Sequence, residues 1–288
     1  MLDQAEKLRQ LVNNKDKNAT SPPKIITVTS GKGGVGKSNF VVNLAITFQK
    51  MGKKVLILDA DIGMGNDDVL MGVMPKYSIY DIIFNNKTIE QVLIKGPPFG
   101  VKLLPAGTAI TNLEGITEEQ IERFIKNLST LEELDYIIMD TGAGVNRSVL
   151  GFISCSEELI ILTTPEPTAI TDAYSLLKAV SHFNIKQNAK LVINKTIDDQ
   201  DGKITYNKFK NAVNKFLHID LEYLGCIQED RKAIQAVRRQ IPFVIVYPNC
   251  NASKDIISIA KNILGNSKIY NDNVSVERFF KKLFSIFS

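Results

Sequence analysis

The sequence predicts an α/β fold, a mostly parallel central sheet flanked by helices, and three observations carry that prediction. Short apolar runs alternate with helix-period stretches along most of the 288 residues. The runs are apolar at consecutive rather than alternate positions, as in strands covered on both faces. Between most runs lies a stretch long enough to cross back over a sheet, which sets the strands parallel.

Residues 1–23 read as an extension. Leu8, Leu11 and Val12 share one face of a short helix, and Asn13 to Pro23 is a polar linker ending in Pro22-Pro23. The body, 24–265, has strand-like runs at Ile25–Thr29, Val55–Leu58, Val101–Leu104, Tyr136–Met139, Leu159–Leu162, Leu191–Ile193 and Tyr223–Ile227. Helical patterns occupy Lys37–Met51, Thr117–Leu131, Asn146–Ser154, Thr168–Phe183, Tyr206–Leu217, Asp230–Arg239 and Ser253–Leu264. In such sheets ligands bind beyond the carboxyl ends of the strands. Residues 266–288 comprise a polar linker, Asn266–Asn273, and a last amphipathic helix.

Composition excludes several classes. A hydrophobic share of 44% and a charged share of 23% are those of a folded globular chain. No apolar run approaches the roughly 20 residues needed to span a bilayer, and the charged start, Met1 to Arg9, is not a secretory leader. Cys155, Cys226 and Cys250 lie far apart without C-x-x-C spacing, which suits a reducing cytoplasm and argues against a disulfide framework or a compact zinc site. A net charge of +4 is mild, permitting contact with nucleic acid or anionic lipid but demanding neither, and no nucleic-acid partner is expected.

The chemistry concentrates in Gly31-Lys32-Gly33-Gly34-Val35-Gly36-Lys37-Ser38, a G-x-x-x-x-G-K-S loop that follows a strand and opens a helix. Glycines let successive backbone N–H groups turn toward phosphate oxygens, and the helix N-terminus adds favourable partial charge. Lys37 is suited to the β- and γ-phosphates of ATP, and the Ser38 hydroxyl to Mg²⁺. Carboxylates follow two strands, Asp59-Ala60-Asp61 and Asp140-Thr141-Gly142. Asp59 and Asp140 are candidates to hold the metal, and Asp61, pointing toward Gly63-Met64-Gly65-Asn66, to orient an attacking water.

With its early lysine, the loop resembles the deviant Walker A loop of the MinD/ParA family of P-loop ATPases. Asp59-Ala60-Asp61-Ile62-Gly63 and Asp140-Thr141-Gly142-Ala143-Gly144 resemble that family's two switches. The resemblance covers roughly residues 24–264. It implies a slow, Mg²⁺-dependent ATPase that forms a homodimer when ATP is bound. Lys32 then reaches the partner's phosphates, Glu166 lies near the dimer interface, and Asn194 reads the adenine edge. Gln228 stands where relatives usually carry proline, which leaves base contacts from that loop open.

The two tails indicate a branch. Phe279, Phe280, Leu283, Phe284 and Phe287 share one helical face, with Arg278, Lys281 and Lys282 mostly on the other. This pattern suits an in-plane helix at an anionic membrane surface, and the alternative is a terminal helix packed on its own domain. Asp3, Gln4, Ala5, Leu8 and Arg9 resemble the short motif with which the flagellar FlhG branch engages the GTPase FlhF and stimulates it, Gln4 being the implied actor. Asn39 after Ser38, and Pro165 to Tyr174, also resemble that branch. The expectation is a regulator of flagellar number or placement, cytoplasmic and peripherally attached to the membrane, with FlhF and flagellar switch-complex proteins as partners. The rival readings are a MinD-type division-site regulator and a ParA-type DNA-segregation ATPase with Lys208, Lys210, Lys215, Arg231, Lys232, Arg238 and Arg239 as its basic surface. The absent C-x-x-C opposes an iron–sulfur carrier, and the absent C-terminal tyrosine cluster opposes a tyrosine autokinase.

Overall fold

The computed structural model describes residues 22–61, 65–96, 100–105, 116–128, 134–265 and 276–287. The N-terminal motif with Asp3, Gln4, Ala5, Leu8 and Arg9 lies outside them, as do linker residues 266–273, Gly63, Met64 and the Phe287 side chain.

Eight strands form one sheet: β1 (Lys24–Ser30), β2 (Val55–Ala60), β3 (Ile94–Gly96), β4 (Val101–Pro105), β5 (Tyr136–Ala143), β6 (Glu158–Thr163), β7 (Asn188–Thr196) and β8 (Asp220–Gln228). Their order is β3-β4-β2-β5-β1-β6-β7-β8, parallel except for β3, which pairs antiparallel with β4. β2 and β6 are buried at every position, as strands covered on both faces must be. β1 lies between β5 and β6, so the chain leaves it in one direction and later returns on its other side. That reversal opens a crevice at the carboxyl end of β1.

The larger helices are α1 (Lys37–Lys50), α5 (Glu118–Leu128), α6 (Arg147–Cys155), α7 (Pro167–His182), α8 (Asp199–Phe216), α9 (Arg231–Arg238) and α11 (Asn251–Gly265). Short turns of helix, α2 (Asp67–Met71), α3 (Ile79–Phe84), α4 (Ile89–Val92) and α10 (Phe243–Val246), join them. All seven strand-like runs are strands, whereas α8 begins seven positions before the expected Tyr206. Asp198 caps it by accepting the Asp201 N–H at 2.8 Å. Inside the helix, a Cβ on Gly202 would stand 2.6 Å from Cys226 Cβ, so glycine permits close packing on β8.

The last helix, α12 (Val276–Phe287), is docked on its own domain, the alternative that the sequence left open. Phe279, Phe280, Leu283 and Phe284, assigned from the sequence to a membrane surface, are at most 3% exposed and lie in the core. They join Phe152 and Cys155 of α6 and Phe124 of α5, whose ring meets Phe280 at 5.1 Å and Phe284 at 5.3 Å, both edge-on. Arg147 Nη2 donates to the Ile286 carbonyl at 2.7 Å, and Lys282 Nζ donates to the Ser154 carbonyl near the C-terminus of α6. The physical reason is that an apolar stripe is covered equally well by lipid or by protein, and here an aromatic-lined groove covers it.

Candidate nucleotide site

Between β1 and α1 the backbone must turn sharply while a neighbouring helix presses against it. A Cβ on Gly31 would stand 2.1 Å from the Asp172 carbonyl carbon in α7, so only glycine fits. Gly36 caps α1 in the left-handed region, at φ 95°, and its Cβ would fall 2.4 Å from Asn194 Nδ2. At Gly33 and Gly34, by contrast, a Cβ would meet nothing within 4 Å. This side of the loop is open, as a cradle for phosphate requires.

The far end of the sheet braces the loop. Asn194 Nδ2 donates to the Val35 carbonyl at 2.7 Å, Asn194 Oδ1 accepts the Lys195 N–H at 2.9 Å, and Lys195 Nζ donates to the Gly34 carbonyl at 3.0 Å. Asn194 thus has its amide engaged on the loop itself.

Lys37, Asp61 and Asp140 are drawn together. Lys37, only 8% exposed, lies with Nζ 2.7 Å from Asp140 Oδ1 and 4.0 Å from Asp61 Oδ2. Asp59 is nearly buried behind them. Asp61 also borders Gly142, where a Cβ would be 3.3 Å from Asp61 Oδ1. One further carboxylate, missed from sequence, is the fully buried Asp67 at the start of α2. In Asn66-Asp67-Asp68 it looks like a solvated loop acid, and nothing but its burial distinguishes it.

So many carboxylates around one ammonium disturb proton equilibria. Burial, and then the Asp140 charge, pushes the Asp59 carboxyl up to about 7. Asp67 is raised well above the ordinary range by burial, with Asp140 and Asp59 adding to it. Asp140 is raised too, since burial outweighs the pull of Lys37 and Ser38. Asp140 Oδ2 and both oxygens of Asp67 are buried without a hydrogen-bond partner. A cluster of oxygen donors with orphaned lone pairs fits a hard cation such as Mg²⁺. No three acidic, histidine or cysteine side chains form a metal cage among the described residues, so other ligands would have to complete its shell.

Lys32 stands apart from this cluster. Its Nζ is 3.2 Å from Glu166 Oε2 and 3.0 Å from Thr168 Oγ1, at the N-terminus of α7, and both charged side chains are substantially exposed.

Two cavities adjoin the loop. The first, about 470 Å³, is lined by Gly33, Gly34, Lys37, Ser38, Asp61 and Arg238 among others. The second, about 230 Å³, lies between Phe40, Asn194, Gln228, Asp230, Ile234 and Phe243, and Asn39 borders both. Gln228 uses a group that proline lacks: its N–H donates to Asp255 Oδ2 at 2.9 Å, and its Oε1 accepts from Asn251 Nδ2 at 3.2 Å. The loop is therefore anchored by hydrogen bonds, a device the sequence did not reveal.

Comparison with known proteins agrees with this geometry. A ParA family model, described as NUBPL iron-transfer P-loop NTPase, matches residues 22–264. The antiactivator FleN of Pseudomonas aeruginosa is 33% identical over 250 residues, covering 86% of this chain and 89% of FleN. The flagellum site-determining protein YlxH of Helicobacter pylori is 34% identical over 294 residues, covering 98% of each. The MinC:MinD cell division complex of Aquifex aeolicus contains a chain that superposes with a TM-score of 0.67 at 26% identity, covering 87% of this chain and 99% of that one. With its glycine loop, buried lysine and strand-end aspartates, the chain belongs to the MinD/ParA family of P-loop ATPases, in the FlhG branch that includes FleN and YlxH.

Proposed function

We propose that this chain is an ATP-hydrolysing switch that dimerises around its nucleotides, acts at the cytoplasmic face of the membrane and sets flagellar number or placement. The observation that carries this reading is the division of the two loop lysines. Lys37 is buried at the phosphate cradle, while Lys32 is turned outward onto Glu166 and Thr168. A monomer therefore presents one cation to a triphosphate and holds a second at its surface, available to another copy.

In this reading the Lys37–Asp140 contact opens when phosphates arrive, and Lys37 Nζ transfers to the β- and γ-oxygens. Ser38, with Asp59 and Asp140 behind it, would hold Mg²⁺, which would further neutralise the phosphate charge. Asp61, half-buried beside Gly142, orients the attacking water. The partner's Lys32 completes charge stabilisation on the transferring phosphoryl group, so hydrolysis is slow until two chains meet. The base occupies the second cavity, against Phe40 and the Gln228 loop, with Asn194 bracing the phosphate loop beneath it.

The output is mechanical. A docked α12 releases its phenylalanine face to anionic lipid in the ATP-bound dimer, and two such helices bind more tightly than one. Residues 3–9 engage FlhF and stimulate its GTP hydrolysis through Gln4. The name of the flagellum site-determining protein YlxH favours the flagellar output over division-site regulation.

The test is sedimentation with anionic liposomes in ATP or ADP, using the full chain and a chain ending at Gly265. ATP-dependent pelleting that is lost on truncation is expected, and equal pelleting in both nucleotides would remove the switch. Separately, Gln4→Ala should abolish stimulation of FlhF, and unchanged stimulation would remove that assignment.

A further inference from the structure

Asp67 is given no task by the phosphate loop or by either switch, yet it is the most enclosed acid of the cluster. It is 0% exposed, and neither carboxylate oxygen has a hydrogen-bond donor. A buried carboxyl without a donor costs several kcal/mol, so such a group calls for a ligand or a role. Among its neighbours only Asp140 comes within hydrogen-bonding reach, and two carboxyls bond each other only while one holds a proton; Lys37 Nζ is engaged with Asp140 Oδ1.

We propose that Asp67 is a further carboxylate of the divalent-cation site, a positioning residue that ties the cation to helix α2. The inference rests on the reading of this cleft as a metal–nucleotide site. A cation-held water donates hydrogen bonds, which is what the oxygens of Asp67 and Asp140 Oδ2 lack. Because no protein-only cage exists among the described residues, Asp67 acts through such a water or through Asp140.

The consequence lies at the other end of α2. Met71 and Gly72 form one wall of an exposed groove whose other wall is Arg239, Gln240, Ile241 and Ile245. Gly72 lies close enough to the Gln240 carbonyl that a Cβ would be 3.0 Å from it. Asp67 thus links cation occupancy to the shape of a surface groove five residues along the chain from the site.

The test uses full-length protein, with Mn²⁺ as the probe titrated calorimetrically into the protein–ADP complex, and hydrogen exchange read over residues 65–71. Wild type should gain protection in that segment on adding Mn²⁺. Asp67→Asn, which keeps the shape, should weaken Mn²⁺ binding about 10-fold or more and lose that protection, while ADP affinity in EDTA stays unchanged. Unchanged Mn²⁺ affinity in Asp67→Asn overturns the proposal. So does wild-type protein in which Mn²⁺ leaves residues 65–71 unaltered, a measurement that needs no variant to fold. Failure of wild type to bind ADP in EDTA would instead overturn the nucleotide-site reading, and the role of Asp67 with it.

Discussion

Removing the Phe124 ring should release the C-terminal helix without altering that helix. Phe124 is fully buried, and its ring receives Phe280 and Phe284 edge-on at 5.1 and 5.3 Å. A buried Phe→Ala change costs about 3–5 kcal/mol in total. Part of that falls on the contacts of α5 with its own domain. The two ring pairs, at about 0.5–1.5 kcal/mol each, put roughly 2 kcal/mol on docking itself, or about 30-fold in the docked-to-released ratio. Cys155 is the reporter, being 3% exposed in the cluster that contains Phe279, Phe280 and Phe284. Maleimide labelling of nucleotide-free Phe124→Ala, mapped by peptide mass, should therefore quicken at Cys155 relative to Cys226 and Cys250. Pelleting with anionic vesicles should no longer need ATP. Arg147→Ala, which removes the bond to the Ile286 carbonyl, should act in the same direction by about 0.5–3 kcal/mol with less effect on the domain. If both variants label Cys155 at the wild-type rate and pellet no better, the helix is a permanent part of the core and its release plays no part in function.

The loop glycines make a paired prediction. Gly31→Ala must displace the α7 backbone and should lower Tm and nucleotide affinity together, whereas Gly33→Ala should leave Tm near wild type; equal Tm losses would contradict the packing argument. Acidity offers another. Asp59 titrates near 7 in the fold against an ordinary 3.8, so between those values the native state holds a proton that the unfolded chain has released. Metal- and nucleotide-free protein should accordingly lose stability as pH rises from about 4 to about 7, and Asp59→Asn should make the profile shallower. The raised carboxyls of Asp67, Asp140 and Asp255 act in the same sense, while the lowered Asp81 and Asp230 oppose it only near and below their ordinary value. Denaturation midpoints that climb across this range would refute it. Finally, Glu166→Gln removes an exposed partner of Lys32 and should change monomer stability by less than about 1 kcal/mol; a large Tm loss would mean that the pair is structural.

Much of this arrangement was legible because burial on both faces writes itself into consecutive apolar residues, as in Val55–Leu58 and Leu159–Leu162. The edge strand Ile94–Gly96 was not, since three residues with an exposed lysine carry no pattern. Helices α3 and α4 are too short for periodicity, although Ser78 with Asp81 and Thr88 with Gln91 are capping boxes that the sequence does display. The start of α8 was hidden by Gly202, which reads as a breaker but serves packing. At the site, residue type and spacing marked Lys37, Ser38, Asp59, Asp61 and Asp140. They did not mark Asp67, whose significance lies in what surrounds it. For α12, periodicity gave the helix and its apolar stripe correctly, but one stripe cannot say whether lipid or Phe124 covers it.

In the proposed function, ATP joins two copies of this chain through Lys32. Light scattering on size-exclusion chromatography of Asp61→Ala, which should bind ATP and hydrolyse it poorly, tests this directly. The expected result is a dimer with ATP and Mg²⁺, a monomer with ADP, and a monomer in both once Lys32→Ala is added. An Asp61→Ala protein that binds ATP yet stays monomeric, or a dimer that survives Lys32→Ala, would contradict it.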